Sequence, residues 1–138
     1  MKATKTGLGA LLIALILSPA QANADWELVV GDAYGRKHFL DFGTIRQQGK
    51  YTLIWSKLEL SKAGLYDGNK YYSVKMLDVY DCTEFKIGAK SLMYYSGKSG
   101  DGEVVFSFTG ELYEVEFSDV VPESVNEAKF NRVCAISK

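Results

Sequence analysis

The chain has 138 residues, with 16 Lys and Arg against 17 Asp and Glu, and 47% of it is hydrophobic. A chain of this length fits one domain. Without a basic excess, nonspecific nucleic-acid binding is a poor candidate for its main task. One histidine and two cysteines are too few for an ordinary nitrogen–sulfur metal site, so neither metal nor cofactor is expected.

Residues 1–24, MKATKTGLGALLIALILSPAQANA, read as a cleavable secretory signal. Lys2 and Lys5 form its basic start, Leu8 to Leu17 its apolar run, and Ala22-Asn23-Ala24 its A-x-A site. The run is about half the length needed to span a bilayer as a helix. Cleavage is expected between Ala24 and Asp25, and no cysteine follows the run to carry a lipid anchor. Residues 25–138 then form a single domain. Two of the 16 basic residues leave with the signal, so 14 face 17 acidic ones, a net charge of −3. No integral membrane segment is expected after cleavage.

Export places Cys82 and Cys134 in an oxidising compartment, where two cysteines usually pair. They are 52 positions apart, and neither has a C-x-x-C partner or a neighbouring histidine that would favour a redox or nucleophilic role. A structural bridge is expected, with a contribution of roughly 4 kcal/mol from chain entropy.

Six strands follow from the β-branched and aromatic runs: Trp26 to Val30, Arg36 to Phe42, Lys50 to Leu60, Lys70 to Cys82, Thr83 to Tyr95 and Glu103 to Thr109. Gly35 and Gly43 bound the second. Asp67-Gly68-Asn69 separates the third and fourth as a hairpin signal, and Ser96 to Gly102 separates the fifth and sixth. Short connections favour antiparallel neighbours.

Alternation places Tyr72, Val74, Met76, Asp78, Tyr80 and Cys82 on one face of the fourth strand. In the fifth, Phe85, Ile87, Ala89 and Met93 share a face. In the sixth, Val104, Phe106 and Phe108 do. Ser124-Val125-Asn126-Glu127 matches a capping box, so a helix is expected to start at Val125. Val125, Phe130, Val133 and Cys134 lie on one side of it, with Lys129 among them. The fold class is α+β, mainly antiparallel β: about six strands, with a short C-terminal helix packed on one face and pinned there by Cys82 and Cys134.

Catalytic patterns are thin. His38 and Asp41 are three apart on a strand and so face opposite sides, which leaves a half-exposed strand histidine rather than an acid–base pair. Asp78, on an apolar face, is read as paired with a buried basic group or placed near the sheet end, ahead of a role in a site. Gly97-Lys98-Ser99 lacks the earlier glycine of a phosphate loop, Leu92 standing in its place. No catalytic residue is assigned. The 18 aromatic residues all fall in the mature part. Trp55, Tyr71, Tyr94 and Tyr95 are candidates for a binding surface or a dimer interface. Arg36 and Lys37 form a small basic pair that could meet a polyanion.

The chain resembles the surface-adhesin protein E-like family of Gram-negative envelope proteins. The resemblance is carried by Trp26, by FLDFGTIRQQGKYTLIWSKLEL, by the cysteine closing DVYDC, by GEVV, and by the ending VVPESVNEAKFNRVC. It spans Trp26 to Cys134. It implies an antiparallel sheet of about six strands with a C-terminal helix tied on by Cys82–Cys134, as read above. The family's namesake is an outer-membrane lipoprotein that binds host matrix and serum proteins and can dimerise. This sequence has an A-x-A site where a lipidation cysteine would be needed, so a periplasmic or released protein is expected unless another mechanism holds it at the surface. The leading reading is a non-catalytic, adhesin-like binding module with a protein partner. The alternative is a periplasmic accessory subunit, or a small enzyme or inhibitor.

Overall fold

The structure, a computed structural model, describes residues 2–4 and 24–137. Most of the expected signal segment therefore lies outside the described residues. Ala24 and Asp25 are exposed and precede the first strand directly.

Seven strands form one antiparallel sheet: β1 (Trp26–Gly31), β2 (Lys37–Gln48), β3 (Tyr51–Tyr66), β4 (Asn69–Asp81), β5 (Lys86–Tyr95), β6 (Val104–Thr109) and the two-residue β7 (Ser118–Asp119). Strands β1 to β6 lie in chain order, and β7 pairs with β5 beyond its contact with β6. Helix α1 spans Val125–Ile136. The two-residue turn between β3 and β4 has positive φ at both Asp67 and Gly68, as a tight hairpin between twisted strands requires. Ser124 caps α1 through its Oγ, which accepts from the Glu127 amide at 3.1 Å.

Helix α1 lies on one face of the sheet. Leu40, Ile54, Tyr80 and Ile87 meet Phe130 and Val133 there. The Cys82–Cys134 bridge joins helix and sheet at the end of β4, with Cα atoms 5.7 Å apart. A second core lies on the opposite face. Leu53, Leu77 and Val79 are covered by Leu112, Val115 and Phe117 from the segment after β6. Gly88 permits this crossing, because a Cβ there would lie 2.8 Å from the Glu116 carbonyl oxygen.

The strand limits differ from the sequence reading where side chains rescue irregular backbone. Gly43 does not end β2. The Asp41 carboxylate accepts from its amide at 3.1 Å, and Thr44 Oγ both donates to the Asp41 carbonyl and accepts from the Trp55 amide. These bonds carry β2 across a break in register to Gln48. The third strand runs six residues past Leu60, to Tyr66.

The fifth strand starts at Lys86, not Thr83. Asp81 Oδ1 accepts from the amides of Thr83 and Glu84 and closes a turn in which Phe85 has φ of 55°. Met93 also leaves the face expected for it. Asp78 pairs with Ala89 but Leu77 with Ser91, so Lys90 is an extra residue in β5. Side chains beyond it change sides. Ile87, Ala89, Leu92 and Tyr94 share the helix face, while Met93 and Tyr95 point the other way with Lys75 and Ser73.

Candidate functional site

Among the described residues, only part of the helix-bearing face is covered. The cross-strand rows through Leu40 and Ile54 lie under α1, whereas the rows through Leu58, Val74 and Tyr94 run on past it. Four rings gather on that uncovered half. Tyr71 stacks on Tyr94 at 4.5 Å, and Phe106 and Tyr66 close around Tyr94 at 5.3 and 5.7 Å. Tyr66 and Phe106 are 4.5 Å apart. Phe108, 50% exposed, continues the row along β6, and Leu65 is exposed beside the hairpin. Burial, and then the neighbouring Tyr71 and Tyr66, push the Tyr94 phenol above its ordinary value. Rings that bury one another and still meet solvent form a surface with a firm shape and an apolar body, of the kind enriched at interface centres.

The residues singled out by sequence do not form one patch. Tyr71 and Tyr94 belong to the cluster just described. Trp55 packs on the second core, on the other face. Tyr95 also faces that way, with its ring 5.3 Å from Lys75 Nζ. Arg36 is taken up by Asp32, its Nε 2.6 Å from Oδ2. Lys37 sits across from Glu59 on the other face of the sheet. Tyr66 and Phe106 complete the aromatic cluster without having been named for it. Tyr66 lies immediately before the Asp67-Gly68 turn, and a residue in that position is the last pair of the hairpin, which was the available signal.

Where α1 meets the open half of the face, a cleft of about 330 Å³ is lined by His38, Met76, Asp78, Glu116, Asn126 and Lys129 among others. Lys129 Nζ lies 2.6 Å from Asp78 Oδ2, so the carboxylate on the apolar strand face does have a buried basic partner. Tyr80 donates its hydroxyl to the same oxygen at 3.1 Å. Burial, then the Asp78 charge, hold the Tyr80 phenol well above its ordinary value, so it remains a neutral donor.

His38 is more enclosed than expected, its side chain 12% exposed. Its partner is Asp32, with Nε2 3.2 Å from Oδ2, not Asp41. Burial is the largest cause that lowers the His38 pKa, and the hydrogen bond to Asp32 opposes it. At Asp32 burial opposes ionisation, but hydrogen bonds from His38, Arg36 and the Tyr34 amide keep its carboxyl far below the usual range. These polar groups satisfy one another and pin the helix and the β1–β2 turn to the sheet. Among the described residues no three His, Cys, Asp or Glu side chains cluster as metal ligands would. No described helix is long and apolar enough to cross a membrane.

A family model described as surface-adhesin protein E matches residues 26–135. Two solved structures of Haemophilus influenzae protein E share the fold. The first has a TM-score of 0.60 at 13% identity and covers 86% of this chain and 89% of its own. The second, another crystal form, has a TM-score of 0.62 at 13% identity, with 86% and 93% covered. No curated protein matches the chain. The matched span takes in the whole sheet, the bridge and nearly all of α1.

Proposed function

This chain belongs to the surface-adhesin protein E family, and from that premise we propose that it is an exported, non-catalytic binding module of the bacterial envelope. Its partner is a protein, held on the open half of the sheet face. The observation that carries this reading is the ring cluster of Tyr66, Tyr71, Tyr94 and Phe106, which α1 does not cover. A soluble domain that leaves aromatic side chains together at its surface has a use for them. A small enzyme is less well supported, because three ionisable groups of the neighbouring cleft are already engaged, Asp78 by Lys129 and Tyr80, and His38 by Asp32.

A second reading rests on β6. Its sequence, VVFSFT, has no charge or proline, and among the described residues only one of its edges is paired. An edge strand without such guards can accept a further strand. This would suit an accessory subunit that completes another protein's sheet.

Immobilised matrix and serum proteins should capture the exported domain, and Tyr94→Ser with Phe106→Ser should reduce capture at least tenfold with the far-ultraviolet circular dichroism unchanged. Undiminished capture by that variant would remove the open face as the contact. Protease treatment of intact producing cells, against a periplasmic marker, decides where binding can occur. Shaving of the protein means display outside. Protection until the outer membrane is opened moves the search to periplasmic partners.

A further inference from the structure

Four lysines gather at one end of the opposite sheet face. Lys57 and Lys75 are direct cross-strand partners. Lys37 lies on β2 across from Glu59, two residues along β3 from Lys57. Lys98 comes from the β5–β6 loop, which folds back over β4. Ser73 Oγ holds that loop by donating to the Gly97 carbonyl at 2.6 Å and accepting from the Gly100 amide at 2.8 Å.

The lysine pair is closely confined. Lys57 is 4% exposed, its Nζ 2.7 Å from Ser99 Oγ and 3.6 Å from Glu59 Oε1. The rings of Phe39 and Trp26 lie 4.6 and 5.0 Å from that ammonium. Lys75 Nζ lies 6.0 Å from the Trp26 ring.

Like charges directly opposite each other on a sheet repel. Aromatic faces offset part of that cost, but they do not neutralise it. Four lysines against Glu59 leave an excess of three positive charges in a chain whose net charge is −1. Asp101 and Glu103 on the same loop are exposed. Among the described residues no carboxylate forms an ion pair with Lys37, Lys75 or Lys98. Lys37 and Lys98 meet across a cleft of about 270 Å³ whose other walls are Gly35, Glu59, Leu60 and Ser61.

We infer that this cleft is a binding site for an oxyanion of the sulfate or phosphate type. Lys37 and Lys98 contact the anion from either side. Lys57 and Lys75 raise the potential beneath it, and Lys57 holds Glu59 back. Of the basic pair noted in the sequence, Lys37 takes part and Arg36 does not, because Asp32 engages it. The site lies on the face away from the aromatic cluster, so it stands or falls separately from the binding surface proposed above.

The test is a titration of the isotope-labelled exported domain with inorganic phosphate and, separately, inorganic sulfate. Ionic strength is held constant with chloride, and amide shifts are followed. Saturable shifts at Gly35, Lys37, Ser61 and Lys98 to Gly100 are expected. Lys37→Gln with Lys98→Gln should weaken binding at least tenfold, while Lys86→Gln at the far end of β5 leaves it unchanged. Tighter binding of sulfate points to a sulfated glycan as the source of the anion, and tighter binding of phosphate to a phosphorylated group. Shifts that rise linearly without saturating, or that persist in the double variant, would overturn the site.

Discussion

Lys129 Nζ meets Asp78 Oδ2 at 2.6 Å, with side-chain exposures of 5% and 4%. Each residue looks misplaced alone, an aspartate on an apolar strand face and a lysine on an apolar helix face. Together they join α1 to β4, and Tyr80 donates a further bond to the carboxylate. Breaking such a pair from one side costs more than removing it, because a buried charge is left behind. Lys129→Met should therefore lower stability by about 3–5 kcal/mol in chemical denaturation. Lys129→Met with Asp78→Asn should recover most of that, since the side-chain amide would carry no charge and its oxygen could still accept from Tyr80. An equal loss in both variants would show that packing sets the cost, not charge.

Stability should fall in two stages on acidification. The folded-state pKa of His38 is lowered, with burial as the largest cause. A base held neutral by the fold contributes stability that is complete above its unfolded pKa, about 6.5, and is lost as pH falls from there to the folded value. Asp32 is also lowered, against the pull of burial, by hydrogen bonds from His38, Arg36 and Tyr34. Its contribution is present above about pH 3.9 and is lost below it. Melting temperatures measured from pH 8 to pH 3 should show an early decline that begins near pH 6.5. His38→Gln should abolish that first stage and leave a smaller second one, held by the bonds from Arg36 and Tyr34 to Asp32. A first stage of full size in the variant would assign it to other groups.

The elements that depend on side-chain alternation and local caps were legible in the sequence. Six strands, the Asp67-Gly68 hairpin, the start of α1 at Val125 and the joining of Cys82 to Cys134 all follow from short patterns, and the structure has them. What was not legible depends on bonds between distant residues. Thr44 Oγ accepting from the Trp55 amide carries β2 through Gly43, and no local rule reports it. The extra residue at Lys90 reverses the faces of everything after it in β5, so Met93 changes sides. The aromatic cluster was half visible for the same reason. Tyr71 and Tyr94 stood out as neighbours of other tyrosines, but Tyr66 and Phe106 join them only once β3 is extended and β6 is in register.

The bridge should matter more than one bond to a short helix suggests. Twelve residues of α1 are marginal as an isolated helix. Besides the bridge, α1 is held by Phe130 and Val133, by the buried Lys129–Asp78 pair and by the exposed Arg132–Glu27 pair. Cys82 and Cys134 close a loop of 52 residues, for which chain entropy gives roughly 4 kcal/mol. Thiol titration of the unfolded, unreduced protein should find none. Cys134→Ser should lower stability by a few kcal/mol, and hydrogen exchange should speed up first in α1. An unchanged melt would mean that packing alone seats the helix.

Gly64 provides a test of the binding face that leaves the rings themselves intact. It lies opposite Tyr71 across β3 and β4. A Cβ there would stand 2.3 Å from Tyr71 Cζ, so the ring must leave its present place. Gly64 does not have the positive φ that would make alanine strained, whereas the turn residue Gly68 does, at 77°. Gly64→Ala therefore acts through the ring contact, and overpacking of this kind typically costs about 1–3 kcal/mol. The Tyr71–Tyr94 stack should open, with a change in the near-ultraviolet circular dichroism of tyrosine. Partner capture should fall as it does for the variant with Tyr94→Ser and Phe106→Ser, although every aromatic residue is still present. Gly68→Ala strains the adjacent hairpin but has no neighbour within 4 Å of the new carbon, so it should cost stability and leave capture intact. If Gly64→Ala opened the stack and the partner still bound normally, the ordered arrangement of the rings would not be what the partner recognises.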